Sequence, residues 1–418
     1  MEKILDFLVK ISKLKKMPRT GFKLLGVKKP ETIAQHSFRV AMLNWLLAKG
    51  RKPNLARVIK ISLVHDLCEV YAGDMTPYWG LLPKDAKKRR AMLTHYIHLP
   101  KDVKEERDTI KFEKERRALE KLTAGLEPDA KKEINTLWLE YERNKSRDGR
   151  FVKQGDKVET LFQALEYWGD KPGSPVIGWW EEIENTVDDP ILEGFLVDMA
   201  KYFYGYEKPS AAVAFLLRIG ELKKMPRKGW VIRGVKDPET IIEHAFLCAM
   251  ATWLLGRRRR LNHEKILKMA LAYEICEIYA GDATPYDRLL KKGAGKAVLN
   301  RWPRFLKREK ERMFLEDYRR EKKAILKLTG GLDGGLKREL LGLWDECKRQ
   351  TTFEGTFVNQ VYWLTTYLQA LEYYKRDKKF PIFAWYEQMR QYIYDPALIE
   401  FLRLEEKRFL PKKLPDTF

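Results

Sequence analysis

Among the ionisable residues of this 418-residue chain, His36, the adjacent pair His65-Asp66, and Asp156 are of types that ligate hard or borderline divalent metals. Singly, none carries weight. A lone histidine on an amphipathic helix is more often a packed or surface residue, and adjacent His-Asp pairs arise by chance. The pair gains meaning from its setting, Ile61-Ser62-Leu63-Val64-His65-Asp66-Leu67-Cys68-Glu69. An apolar helical segment that carries ionisable groups needs something to offset their desolvation, and a bound cation does so. Neighbouring helical residues point about 100° apart, so His65 and Asp66 can occupy adjacent corners of one coordination sphere. Glu69 lies one turn further on, where a spare carboxylate can act as general base toward a metal-activated water. The chemistry such a set would perform is metal-assisted hydrolysis.

These residues are scattered over more than a hundred positions, so helices must gather them. Apolar residues recur at helical spacing almost throughout, as in Phe38, Met42, Trp45 and Leu46 and again in Val158, Leu161, Phe162 and Leu165. Alternating β-branched runs are scarce, and the expectation is an all-α chain with loops at Arg19–Pro30, Gly73–Pro83 and around Asp148-Gly149.

The chain also repeats itself. Leu14-Lys15-Lys16-Met17-Pro18-Arg19 returns as Leu222-Lys223-Lys224-Met225-Pro226-Arg227, and Tyr71-Ala72-Gly73-Asp74 as Tyr279-Ala280-Gly281-Asp282. Gln163-Ala164-Leu165-Glu166-Tyr167 returns as Gln369-Ala370-Leu371-Glu372-Tyr373. One domain has been duplicated. The boundary is expected near Gly205–Ser210, giving domains 1–205 and 206–418. At the repeat positions of His65, Asp66 and Asp156 stand Tyr273, Glu274 and Tyr362, while His244, Arg227 and Glu277 persist. Phenols have ordinary pKa values of about 10 and ligate poorly near neutrality, so only the first copy is equipped to hold a metal.

The ordered set Arg19, then Glu31-Thr32-Ile33-Ala34-Gln35-His36-Ser37, then His65-Asp66-x-x-Glu69, then Gly73-Asp74, then Lys153-Gln154-Gly155-Asp156-Lys157 resembles the HD-domain phosphohydrolases. Within them it is similar to the 5'-deoxynucleotidase subgroup, which removes phosphate from deoxyribonucleoside 5'-monophosphates. The resemblance covers Leu5 to Trp168 and, in degraded form, Phe215 to Tyr374. It implies two tandem HD-type helical domains packed as an intramolecular pseudo-dimer, the second domain degenerate. It implies metal ligands at His36, His65, Asp66 and Asp156, acidic catalytic positions at Glu69 and Asp74, and a phosphate-binding arginine at Arg19. Asp74 would either protonate the leaving 5'-oxygen or hold a sugar hydroxyl. Some bacterial members carry Trp directly after the arginine, associated with sugar discrimination; this chain has Thr20 there and its aromatic at Phe22. The implied cofactor is one divalent ion per chain, Mn²⁺, Co²⁺ or Fe²⁺ from the mixed donors, with Zn²⁺ compatible. The same site acting on nucleoside triphosphates or alarmone nucleotides is a competing expectation.

Composition sets the remaining bounds. With 44% hydrophobic residues the chain can bury a core without staples, and Cys68, Cys248, Cys276 and Cys347 form no C-x-x-C pair. A reducing cytoplasm is expected. No apolar run reaches membrane-spanning length. The segment Met1–Lys16 reads as an amphipathic helix; its acidic Glu2 and Asp6 and its recurrence around Phe215–Leu222 make it a core helix and not a signal or membrane address. His95 and His98 have metal-like spacing but no repeat counterparts and are read as surface residues. The net charge of +22 falls mostly in the second half, where Arg257–Arg260 and Lys291–Arg312 are the basic stretches. A nucleotide-sensing or nucleic-acid-associated protein working through that half is therefore the second function class. Mixed Lys/Arg/Glu helices are more often solvated faces, and no nucleic-acid-binding motif accompanies the charge.

Overall fold

The computed structural model describes residues 1–49, 54–76, 78–94, 97–169 and 174–411. Among these the chain is helical with no strand; its only β pairings are the isolated bridges Pro18–Thr32 and Pro226–Thr240, at equivalent places in the two repeats. The longer helices of the first repeat are α1 (Glu2–Ile11), α2 (Ile33–Ala48), α3 (Leu55–Val64), α4 (Lys101–Thr123), α5 (Pro128–Arg143), α6 (Arg147–Trp168), α7 (Val176–Glu184) and α8 (Pro190–Phe203). Those of the second are α9 (Ala211–Glu221), α10 (Ile241–Gly256), α11 (His263–Ala272), α12 (Lys307–Leu328), α13 (Gly334–Arg349), α14 (Phe353–Arg376), α15 (Ile382–Tyr392) and α16 (Pro396–Phe409).

The duplication is visible in how the helices start. Thr32 and Gln35 form a capping box on α2, as Thr240 and Glu243 do on α10. Asn54 and Asn262 cap α3 and α11, and Ser146 and Thr352 cap α6 and α14. Each cap satisfies a backbone N–H that the helix cannot, worth roughly 1 kcal/mol. Entry points of the site-bearing helices are thus fixed by short-range chemistry.

Packing then sets their faces. In each repeat the helix that follows the capping box is buried nearly from end to end and packs on two others, α2 on α3 and α6, α10 on α11 and α14. Trp45 and Trp138 fill the first core, Trp253 and Trp344 the second. By compactness the chain divides into Val9–Leu217 and a unit made of Met1–Leu8 with Arg218–Phe418, in which Asp6 accepts from Arg408. All four cysteines are free and buried, and no described helix is long and apolar enough to cross a membrane.

Three local expectations are corrected. The Arg19–Pro30 stretch contains a helical turn, Thr20–Leu24. Asp148-Gly149 lies in the first turn of α6 and not in a loop: Gly149 N–H donates to the Ser146 hydroxyl, and a Cβ on Gly149 would meet the Glu140 carbonyl oxygen at 2.3 Å. The glycine is there for close approach; Gly355 meets Glu346 the same way. The helix through His65 ends at Val64, and three-residue turns, such as Leu67 N–H to Val64 O at 3.1 Å, carry the chain into the short helix Glu69–Ala72. Of the histidines read as surface residues, His98 is exposed and His95 lies outside the described residues.

Candidate metal centre

α2 delivers His36 one turn past its cap, fully buried. Its Nε2 lies 2.9 Å from Asp156 Oδ1 on α6 and 3.8 Å from Asp66 Oδ2. His65, at the end of α3, points its Nε2 to within 3.3 Å of His36 Nε2 and 3.2 Å of Asp66 Oδ2. Its Nδ1 faces the Ser62 carbonyl oxygen at 2.8 Å. That contact requires a proton on Nδ1 and leaves Nε2 turned to the cluster. His36, His65 and Asp156 each offer one donor atom within 4.8 Å of the others. Asp66 borders this trio, and Tyr141 donates to Asp156 Oδ2 at 2.6 Å.

The donor chemistry fits a divalent cation. Two imidazole nitrogens face one another across 3.3 Å with carboxylates on either side, a grouping whose mutual contacts favour positive charge at its centre. Burial and the Arg19 charge push the His36 imidazole down, yet Glu159 and Asp156 outweigh them and raise it to about 9. His65 is likewise raised: burial opposes, and Asp66 prevails. Asp66 is held well below the carboxylate range because His65 and Arg19 overcome its desolvation.

A second trio, Glu31, His36 and Glu159, could also hold an ion by distance alone. It faces the other nitrogen of His36 and is already neutralised. Glu159 Oε2 sits 2.5 Å from His36 Nδ1, and its Oε1 accepts from Arg39 Nε at 2.5 Å. Arg39 is fully buried, donates also to Glu166 and Gln163, and lies over the Phe162 ring at 5.0 Å. This network orients His36 from behind, as outer partners do for imidazole donors.

The remaining sequence candidates gather at the open side. Arg19 Nη1 donates to Asp66 Oδ2 at 2.9 Å, Nη2 reaches Thr160 at 3.4 Å, and Nε lies 4.0 Å from Asp74. Asp74 accepts from Thr20 N–H at 2.5 Å, which fixes it beside Arg19. Glu69 is 5% exposed, and its Oε2 accepts no hydrogen bond. Burial, then Asp66 and Asp74, push its carboxyl well above the ordinary range, against the pull of Arg19 and Lys111. Phe22 packs among Tyr167, Trp168 and Trp179, 2% exposed.

Sequence reasoning missed Glu159, Arg39, Tyr141 and Lys111. A signal for the first two existed: Arg39 and Glu159 change together to Leu247 and Thr365 in the second repeat. It also missed why Gly155 interrupts the Lys153–Lys157 motif. A Cβ there would meet Asn44 Oδ1 at 1.9 Å, so the glycine lets α6 close on α2 beside Asp156.

In the second repeat two phenols narrow the equivalent space from within. Tyr362 accepts from Arg227, Asn359 donates to the Tyr273 hydroxyl at 3.1 Å, and the Tyr362 ring stands edge-on to His244, with 4.9 Å between centroids. Burial pushes both phenols well above their ordinary range. Among the described residues no trio of metal-type donors forms there. In the basic stretches Arg259 is paired to Asp395 and Arg312 to Glu316, so part of that charge is locally offset.

Comparison with known proteins agrees with the duplication. The pattern of the HD domain family matches residues 11–184 and again 219–395. The 5'-deoxynucleotidase HDDC2 of Bos taurus is 34% identical over 172 residues, 41% of this chain and 71% of the relative. The 5'-deoxynucleotidase hdd1 of Schizosaccharomyces pombe is 30% identical over 196 residues, 47% of this chain and 88% of that protein. A solved structure of a conserved hypothetical protein from Pyrococcus furiosus is 28% identical, over 47% of this chain and 98% of that one, with a TM-score of 0.32.

Proposed function

The chain belongs to the HD domain family in tandem form, and from that premise we propose that its first repeat, residues 1–205, hydrolyses the phosphate ester of (deoxy)nucleoside 5'-monophosphates while residues 206–418 form a catalytically silent copy. It is a metal-dependent phosphohydrolase. The observation that carries the substrate reading is the meeting of the His36, His65 and Asp156 donors with Arg19 and with the buried Glu69 carboxylate, whose Oε2 accepts no hydrogen bond.

His36, His65, Asp66 and Asp156 would hold one divalent cation, Mn²⁺, Co²⁺ or Fe²⁺ by donor type, with Zn²⁺ compatible. When bound, that ion supplies Lewis acidity toward a phosphoryl oxygen and lowers the pKa of water. Arg19 presents a guanidinium fork to the phosphate, and Asp66 and Asp74 hold the fork in place until substrate arrives. Glu69, kept basic by burial and then by the neighbouring carboxylates, with no donor to its Oε2, orients the attacking water and accepts its proton. Attack at phosphorus breaks the P–O5' bond and gives nucleoside and inorganic phosphate. Asp74 would either protonate the leaving 5'-oxygen or hold a sugar hydroxyl. Free buried cysteines suit a cytoplasmic enzyme.

The test is phosphate release from ribo- and deoxyribonucleoside mono- and triphosphates across a divalent-metal series. Monophosphate turnover that falls at least a hundredfold in Glu69→Gln, with metal binding retained, is expected. Release only from triphosphates or alarmone nucleotides would refute the substrate assignment, and unchanged activity in Glu69→Gln would remove that residue from the reaction.

A further inference from the structure

The second repeat has lost its metal donors but has not closed. Beside Tyr273 and Tyr362 lies a cavity of about 410 Å³, within the usual range for small-molecule sites. Its lining carries the carboxylates of Glu274, Glu277 and Asp282 together with aromatic rings, including Trp302, Trp363 and Tyr392. Trp363 stacks on Tyr392 with 4.7 Å between centroids and 19° between planes, and Trp302 meets Tyr392 edge-on at 6.0 Å.

Asp282 accepts from the Lys228 N–H at 2.6 Å, but the two glutamates are less well provided for. Glu274 is 5% exposed and draws only on the Tyr362 hydroxyl and the Arg227 charge, and Glu277 Oε2 accepts no hydrogen bond. The nearest cation, Arg227, is committed to Tyr362 and Thr366 and stands 3.6 Å from Glu274 Oε1. Toward the mouth, Lys348 is paired to Glu321 and Arg320 to Asp317, while Lys310 donates to Gln391. A buried acceptor without a donor costs free energy that a ligand's N–H or O–H groups would recover. Burial raises all three carboxyls, Glu274 to about 7 against the pull of Arg227, a desolvation that donors on a ligand would offset.

We propose that this cavity is a second, metal-independent binding site that takes a nucleoside-sized heteroaromatic compound bearing amino or hydroxyl donors and no phosphate. The aromatic walls offer ring faces for stacking, which tolerates different bases. Glu274 and Glu277 accept from exocyclic amino or hydroxyl groups. A phosphate would instead bring its negative charge toward the Glu274, Glu277 and Asp282 carboxyls with Arg227 already engaged, so a nucleotide binds more weakly than its nucleoside. This assignment does not depend on what the first repeat catalyses.

Calorimetric titration of the full chain, in the presence of chelator so that no metal-dependent site contributes, tests it with deoxyadenosine, deoxycytidine and deoxyguanosine and with their 5'-monophosphates. At least one nucleoside should bind, its 5'-monophosphate at least tenfold more weakly. Glu274→Gln and Trp363→Ala should each weaken the nucleoside about tenfold or more, the scale of a hydrogen bond to a charged group or of one stacked base. Trp363 is only partly buried, so its variant decides the matter should Glu274→Gln not fold. Absence of nucleoside binding, binding untouched by both substitutions, or equal affinity for the monophosphate would overturn the proposal.

Discussion

Replacing Arg39 by leucine, the residue at the same place in the second repeat, separates the support of the candidate centre from the centre itself. Arg39 is fully buried and donates to Glu159, Glu166 and Gln163. Glu159 is equally inaccessible, and its other oxygen faces His36. Arg39→Leu therefore strands a carboxylate in the core, and breaking one side of such a pair costs about 3–5 kcal/mol. Glu159→Thr alone strands the guanidinium, with Glu166 as its remaining charged partner, and should cost somewhat less. The double variant restores the leucine and threonine of the second repeat, where the same helices pack without the pair. It should recover roughly 2–3 kcal/mol relative to the sum of the singles, the coupling expected of directly bonded groups. Divalent-metal affinity should not recover, because loss of an outer partner of an imidazole ligand typically costs about 10- to 100-fold. Urea denaturation read by far-ultraviolet circular dichroism gives the first quantity and titration calorimetry with Mn²⁺ or Co²⁺ the second. Additive destabilisation, or wild-type metal affinity in the double variant, would refute the idea that Arg39 and Glu159 act as one device behind His36.

Gly155→Ala should destabilise the protein by about 1–3 kcal/mol through overpacking, since its Cβ would meet Asn44 Oδ1 at 1.9 Å, and adding Asn44→Ala should restore most of the loss of thermal midpoint. Burial raises Glu274 from near 4.5 to about 7 in the folded state, so its protonated form favours folding: that contribution is complete below pH 4.5 and gone above about pH 7. Wild type should then lose roughly 2–3 kcal/mol relative to Glu274→Gln across that window, and parallel pH profiles of the thermal midpoint would contradict it. Elemental analysis of protein purified without chelator should find about one tightly held divalent ion per chain, abolished with activity in Asp66→Ala. Two tight equivalents, or one that survives the substitution, would place a site in the second repeat or outside the proposed four ligands.

Much of this protein is written locally. Helical periodicity, the duplicated segments and the paired caps at Thr32 and Thr240 depend on residues within a few positions of one another, so the all-α tandem fold was legible from the sequence. The replacement of His65, Asp66 and Asp156 by Tyr273, Glu274 and Tyr362 was legible as well, because it asks only for side-chain types in register. Tertiary structure alone decided which atoms meet. His36 and Glu159 are 123 positions apart, and Arg39 and Glu159 are 120 apart. No local pattern could say that Glu159 faces Nδ1 of the imidazole while Asp156 faces Nε2. The Asp148-Gly149 pair illustrates the same limit: it has the composition of a turn, but the approach of α5 makes it a helix start. The cavity of the second repeat was beyond the sequence for a related reason. Whether two bulky phenols fill a site or only narrow it depends on where Asn359 and Arg227 pull their hydroxyls, and hydrogen bonds that join α14 to the end of α11 and to Arg227 determine that.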